Sequence, residues 1–386
     1  MYQLSSLIPD RARMQNVLRL FTDFDIFDDS ADAQAVFVAA LKEMVAWHIE
    51  KNAFYADYLR HFGFCPEHLH RMEDCAKLPF FHANYMKTHV FTSIDASNAY
   101  KHFTSSGTTG QKSQTFFDEW SWALMSYLVA RNLSAKGFIT DQPVNYLMFT
   151  YEPYPDSKLG TAASDLLLST FAPIHRMFFA LRQDGCGGHE FDLFGTINAL
   201  KEFEKEGFPV RIFGFPSFFY FTLQRMGALG MPPLQLHPES LTIFGGGWKG
   251  ASDKAIPKQA LYNQAQALLG IPQERCGDSF GSVEHFVPYF ECPNHHFHVP
   301  VWSKVVIRDV KTLEVAGYDT PGFLNFISPY VSCYPGNSVM MGDLATLHSG
   351  ERCGCGILTP YFEILGRAGT SKNKSCAIAA SELLKK

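Results

Sequence analysis

"LTIFGGG", Leu241–Gly247, is a short and mainly apolar run that ends in three glycines. A run of this length bounded by glycine reads as a compact hydrophobic strand. Two other runs have the same build: "NYLMFTY" (Asn145–Tyr151) and "VRIFGF" (Val210–Phe215). Between them lie helical segments such as "EFDLFGTINALKEFEKEG" (Glu190–Gly207). Strands that alternate with helices predict an α/β fold with a mainly parallel sheet. Ligands of such sheets gather at the C-terminal ends of the strands, where these glycines stand.

Outward from that centre the texture changes twice. From Ala31 to about Leu69, "AQAVFVAALKEMVAWHIEKNAFYADYLRHF" repeats apolar residues at three- and four-residue spacing, a helical pattern. Turn-like segments follow up to Ser93. Beyond Val299, "VPVWSKVVIRDV", "GFLNFISPY" and "NSVMMGDLATLH" read as strands joined by turns, a smaller β-rich subdomain. The closing "GRAGTSKNKSCAIAASELLKK" is polar and then weakly helical, a tail. The expected organisation is a helical N-terminal region over 1–95, an α/β core over 96–298, a β-rich subdomain over 299–367 and a tail over 368–386.

Composition bounds the function classes. The 386 residues are 46% hydrophobic and 18% charged, with net charge −5, as in an ordinary soluble globular protein. Lysine and arginine are scattered, so no basic block points to nucleic acid. No stretch approaches the roughly 18–20 apolar residues of a membrane span. The N-terminal "MYQLSSLIPDRARMQ" lacks the apolar run of a signal peptide. A cytoplasmic location is therefore expected. Nine cysteines then predict core, metal or catalytic thiols rather than a disulfide framework. Thirty-five phenylalanines read as a roomy apolar interior, either plain core or core with an apolar ligand pocket.

Five stretches carry chemistry. In "FTSSGTTGQKSQT" (Phe103–Thr115), Thr104, Ser105, Ser106, Gly107, Thr108, Thr109 and Gly110 offer backbone N–H and hydroxyl donors, and Lys112 offers a point charge. The spacing is not that of a Walker P-loop. Alone it reads equally as a phosphate grip or a solvated loop. In "FGGGWKG" (Phe244–Gly250), Gly245, Gly246 and Gly247 let a planar ligand or a carboxylate approach the backbone. Lys249 beside them steadies a carboxylate or α-phosphate, or is a surface lysine. "DSFGSVEH" (Asp278–His285) sets Ser279, Phe280, Gly281 and Glu284 in order, and His285 after them is a proton shuttle or a packed histidine. "MGDLATL" (Met341–Leu347) offers Asp343, suited to ribose hydroxyls, and "EILGRAG" (Glu363–Gly369) follows with Arg367. Each stretch is weak by itself; five in this order form a pattern.

That order resembles the adenylate-forming superfamily of acyl-CoA synthetases, luciferases and nonribosomal adenylation domains. The resemblance implies that Thr104 to Lys112 hold the phosphates of ATP. It implies that the motif around Ser279, Phe280 and Gly281 packs its aromatic ring on adenine. Glu284 would help bind Mg²⁺, Asp343 hold the ribose, and Arg367 mark the hinge to a C-terminal domain. Lys112 stands one position earlier than is usual there, without the common proline. Only 19 residues follow Arg367, so the C-terminal domain with the usual catalytic lysine is expected to be reduced to the tail. Lys249, Lys372 and Lys374 are the candidates to replace that lysine.

Length, "FTSSGTTGQKSQ", "FGGGWKG", "HVPVWSKVVIRD" and "KSCAIAASE" resemble the acyl-protein synthetase family of bacterial bioluminescence, the synthetase of a fatty acid reductase complex. The resemblance runs from about residue 30 to the end. It implies an adenylate-forming fold without its full C-terminal domain, and ATP and Mg²⁺ as cofactors. It implies a fatty acid as the favoured carboxylic acid, acylation of Cys376, and an acyl reductase as partner. The chemistry is coherent. A carboxylate is a poor electrophile until ATP converts it to a mixed anhydride, and a thiolate attacks that anhydride well. Lys372, Lys374, Lys385 and Lys386 around Cys376 favour its thiolate. Two other readings stay open: a CoA ligase of the phenylacetate type, and a nucleotide-binding subunit without chemistry.

One more constellation stands apart. "CPNHHFH" (Cys292–His298) and "CGCG" (Cys353–Gly356) supply Cys292, His298, Cys353 and Cys355, a Cys₃His zinc set with His295 or His296 as alternatives to His298. Four protein ligands make such a site structural rather than catalytic. The spacing resembles that of phenylacetate-CoA ligase relatives, which implies a structural metal. The Cys-x-Cys chelate is tighter than the usual Cys-x₂-Cys. Finally, "RIFGFPSFFYF" (Arg211–Phe221) reads as the wall of an acyl pocket, as core, or as both.

Overall fold

A computed structural model describes residues 4–10, 12–104, 114–154, 167–248 and 251–368. The chain divides into two compact units. One is Asn132–Gly281; the other combines Leu4–Arg131 with the residues from Ser282 on.

The composite unit begins with helices α1 (Gln15–Thr22), α2 (Ala31–Lys51) and α3 (Ala53–His61). The helical pattern expected over 31–69 is thus two helices, and Asn52 is the reason. Its backbone is extended (φ −139°), and its side chain accepts the Tyr55 N–H at 2.9 Å, capping α3. Next come β1 (Phe81–His82), α4 (Tyr85–Thr88), and the antiparallel pair β2 (Lys101–Thr104) and β3 (Gln114–Phe117), which brackets residues 105–113. Helix α5 (Glu119–Ala135) leads into the other unit.

The unit Asn132–Gly281 holds an α/β layer. It contains β4 (Val144–Tyr151), β5 (Ile174–Gln183), β6 (His189–Phe191), α6 (Leu193–Glu206), β7 (Val210–Gly214), α7 (Pro216–Ala228), β8 (Leu241–Phe244), α8 (Lys258–Leu269) and β9 (Cys276–Phe280). Its strands run in the order β9-β8-β7-β4-β5-β6. All pairings are parallel except β5 with β6 at the edge. Strands β4, β7 and β8 are buried along nearly their whole length, which is why they read as continuous apolar runs. Helix α6 starts at Leu193 rather than Glu190. Glu190 and Phe191 belong to β6, and the Asp192 carboxylate caps the helix by accepting the Gly195 N–H at 2.8 Å. The core gathers Leu147, Phe149, Ile212, Phe219, Phe244 and Tyr262 between sheet and helices. Each such side chain contributes about 1.5–3 kcal/mol by burial.

The chain then returns to the composite unit through β10 (Tyr289–Phe290), β11 (Phe297–His298), β12 (Lys304–Arg308), β13 (Gly322–Ile327), β14 (Ser338–His348) and β15 (Tyr361–Arg367). The antiparallel order is β11-β15-β14-β13-β12, and β1 joins β14 in parallel with Phe81 opposite Val339. Trp302 is fully buried ahead of β12 and stacks on Phe21 of α1 at 5.4 Å. Among the described residues, no helix is long and apolar enough to cross a membrane.

Candidate functional site

In the α/β unit, the parallel strands end where a ligand is expected. Strand β7 ends at Gly214, β8 runs into Gly245–Gly247, and β9 ends at Phe280. The Gly245 N–H donates to Gly214 O at 3.0 Å, and Ser279 Oγ donates to Phe244 O at 2.8 Å, so three strand ends are tied into one edge. Gly246 and Gly247 take φ of 73° and 68°, left-handed values that glycine adopts without strain, and both are exposed. Phe280 is half-buried and Gly281 exposed. The aromatic stretch after β7 divides its labour. Phe215 and Phe219 are buried in the core, whereas Phe218, Tyr220 and Phe221 keep part of their surface, and Tyr220 packs on Trp248 at 5.5 Å. Lys249 lies outside the described residues.

In the composite unit, Glu284 sits in the turn 282–286. The Phe286 N–H donates to Ser282 O at 2.8 Å, and the Tyr334 hydroxyl donates to Glu284 O at 3.2 Å. Thr115 Oγ1 of β3 donates to Val283 O at 3.5 Å, and the Phe117 ring meets Phe286 edge-on at 4.4 Å. Ser282 Oγ contacts Met341 Sδ at 3.8 Å, two residues before Asp343. The structure therefore brings together the strand after the hydroxyl-rich loop, the Glu284 turn and the strand that carries Asp343. Glu284 is buried, 6% exposed. Asp343 is half-buried and stands opposite Arg367 in the β14–β15 register. Thr104 ends β2 opposite Gln114. Ser105, Ser106, Gly107, Thr108, Thr109, Gly110, Lys112, Lys372, Lys374 and Cys376 lie outside the described residues. Thr115 and Tyr334 were not legible as supports, because each acts through a hydroxyl on a backbone carbonyl, for which no residue pattern exists. His285 is a packed histidine: its Nε2 meets the Tyr289 hydroxyl at 3.0 Å, and burial lowers its pKa to about 3.

The four sulfur and nitrogen donors converge in the same unit. One ligand atom from each of Cys292, His298, Cys353 and Cys355 lies within 4.8 Å of all the others. Cys292 Sγ is 3.5 Å from Cys353 Sγ, and His298 Nε2 is 3.4 Å from Cys355 Sγ. His298 Nδ1 donates to Thr359 O at 2.7 Å, which fixes the tautomer and leaves the Nε2 lone pair facing the sulfurs. His295 turns away, its Nδ1 3.5 Å from Glu291. His296 Nδ1 is 3.1 Å from Cys353 Sγ, and its Nε2 is 3.4 Å from Glu363. Burial, followed by the neighbouring sulfurs, pushes the Cys353 thiol up to about 12.

The chain matches the family described as acyl-protein synthetase, LuxE, over residues 14–385. A long-chain-fatty-acid–luciferin-component ligase of Vibrio harveyi is 22% identical over 346 residues, 89% of this chain and 86% of that protein. A ligase of the same name from Aliivibrio fischeri is 24% identical over 358 residues, 90% of this chain and 88% of that one. Among solved structures, an open conformation of 2-hydroxyisobutyryl-CoA ligase, in complex with 2-HIB-AMP and CoA, superposes with a TM-score of 0.67 at 14% identity. It covers 97% of this chain and 83% of that chain. The same ligase in its postadenylation state gives 0.66 at 14% identity, over 100% of this chain and 78% of the other. These two likenesses concern the fold, which is that of adenylate-forming ligases.

Proposed function

The chain belongs to the acyl-protein synthetase, LuxE, family, and from that premise we propose that it is an AMP-forming ligase that loads a fatty acid onto its own Cys376. A carboxylate oxygen of the acid attacks the α-phosphorus of ATP. The bond to the β-phosphate breaks, and acyl-AMP and pyrophosphate form. The Cys376 thiolate then attacks the acyl carbon, a thioester forms, and AMP leaves with the electron pair of the broken C–O bond. The acyl group passes from there to a partner that reduces it.

The chain's residues divide the work by type. The donors of Thr104 to Gly110 and the charge of Lys112 hold the departing phosphates. Phe280, between Ser279 and Gly281, offers a face for the base, and Asp343 accepts the ribose hydroxyls. Gly245–Gly247 let the carboxylate and α-phosphate approach backbone N–H groups, Lys249 is the candidate cation of that motif, and Arg367 closes the β14–β15 register opposite Asp343. Glu284, a buried carboxylate, would help hold a Mg²⁺ ion at the nucleotide. When bound, that ion would supply charge neutralisation at the phosphates.

The observation that carries this reading is the family match over 14–385, which spans the hydroxyl-rich loop, the Glu284 turn, Asp343 and Cys376. The bonds that gather β3, the Glu284 turn and β14 support it. The test is to incubate the Cys376→Ser variant with ATP and labelled fatty acid. Covalent labelling is expected to vanish while ATP–pyrophosphate exchange survives; persistent labelling would sink the proposal. CoA-dependent thioester release by the same variant would point instead to a CoA ligase, and absence of exchange in the unaltered protein to a binding subunit.

A further inference from the structure

The donor cluster of the composite unit has no part in acid activation, yet it gathers four metal-type ligand atoms within 4.8 Å of one another. A tetrahedral zinc with Zn–S of about 2.3 Å and Zn–N of about 2.0 Å sets its donors roughly 3.5–3.8 Å apart. The Cys292–Cys353 and His298–Cys355 separations, 3.5 and 3.4 Å, fall at that spacing. We propose that Cys292, His298, Cys353 and Cys355 hold one structural Zn²⁺ that fastens the connection between β14 and β15 to the segment ending in β11.

Three local features fit this site. Gly354 and Gly356 take φ of 72° and 91°, so the Cys353–Gly–Cys355 chelate turns back on itself without strain. The Ile357 N–H points at Cys355 Sγ at 3.5 Å, and Asn294 Nδ2 donates to Cys353 O at 2.7 Å, which holds the chelate in place. The Thr359 carbonyl orients His298, as an outer partner does for a ligating imidazole. Binding displaces three thiol protons to solvent and leaves a ZnS₃N centre of net charge −1. His296 is a positioning residue: its Nδ1 lies 3.1 Å from Cys353 Sγ and its Nε2 3.4 Å from Glu363, so the ring bridges the cluster and that carboxylate. All four places are taken by protein, so no position remains for substrate. The site lies at the His348–Tyr361 end of the hairpin, five residues along β14 from Asp343, or about 17 Å. The proposal is therefore independent of the ligase reading.

The experiment uses the full chain and reads metal rather than activity. Protein purified without added metal is expected to hold about one zinc per chain by elemental analysis. Exchange with Co²⁺ is expected to give the intense visible bands of a tetrahedral thiolate site. His298→Cys should keep the metal with shifted cobalt bands, and Cys355→Ser should lose it. His296→Gln should keep one equivalent but yield it to a chelator about 10- to 100-fold more readily. The site is refuted if the unaltered protein binds neither zinc nor cobalt with its thiols reduced. A Cys292–Cys353 disulfide by mass, or stoichiometric iron in place of zinc, would also overturn it. Because the unaltered protein decides these outcomes, a variant that fails to fold leaves the test intact.

Discussion

The two ends of the β14–β15 hairpin are built for opposite purposes. At one end Asp343 stands opposite Arg367, half-buried, in a strand fastened to the Glu284 turn through Ser282 and Met341. At the other end, beyond His348 and Tyr361, three sulfurs and an imidazole close on one another. On the proposed function, the first end receives a nucleotide that comes and goes. The second supplies every donor itself, so what completes it is a small ion that stays. On the two proposals together, one end exchanges its ligand and the other keeps its own within one unit.

That contrast can be broken at either end. The largest effect is expected at the open end. Asp343→Ala should lower ATP–pyrophosphate exchange roughly 100-fold, or ~2.7 kcal/mol, with the melting temperature unchanged. A variant that melts much earlier at equal zinc content would make Asp343 structural and erase the distinction.

A buried histidine that needs no ion gives the reference for the closed end. His48 is fully buried; its Nε2 donates to Val331 O at 2.9 Å, and its Nδ1 accepts from Ser93 Oγ at 2.7 Å. Burial lowers its pKa from 6.5 to about 3. The folded state thus holds the neutral ring while the unfolded chain takes up a proton below 6.5. Its contribution is fully present above pH 6.5 and is lost as pH falls toward 3. Urea unfolding should show ~2 kcal/mol of that loss at pH 5, absent in His48→Gln. An unchanged profile in the variant would show that the ring is not held neutral.

The smallest effect tests the chelate turn. Gly354→Ala meets only Asn294 Nδ2 at 3.7 Å, an ordinary contact, so its cost is the left-handed φ of 72°, about 1 kcal/mol in urea unfolding. Exchange activity should not change. A loss of exchange would couple the two ends.

What the residues disclosed follows the same division between local and distant causes. Strands β4, β7 and β8 were legible because they are buried on both faces and carry unbroken apolar runs. Strand β5 was not: as Ile174–Gln183 it mixes His and Arg with apolar residues, with its first three residues exposed. The break at Asn52 was hidden inside a helical periodicity, since a capping side chain looks like any polar residue of a helix. The four metal-type ligands were legible from spacing, but the choice among three histidines needed the carbonyl of Thr359, which no spacing encodes. The meeting of β3, the Glu284 turn and β14 joins residues 115, 283 and 341, too far apart for any local pattern to announce.

Strand β1 is only Phe81–His82, and its partner in β14 is Val339–Met340. On the ribosome that pairing cannot form until the chain has grown 258 residues past it, a wait of roughly ten to fifty seconds at 5–20 residues per second. The uninterrupted stretch Asn132–Gly281 emerges complete in the meantime. The order of birth is thus written into the topology: the inserted unit can mature first, while the segment before it stays in need of protection from wrong partners until the last third of the protein arrives.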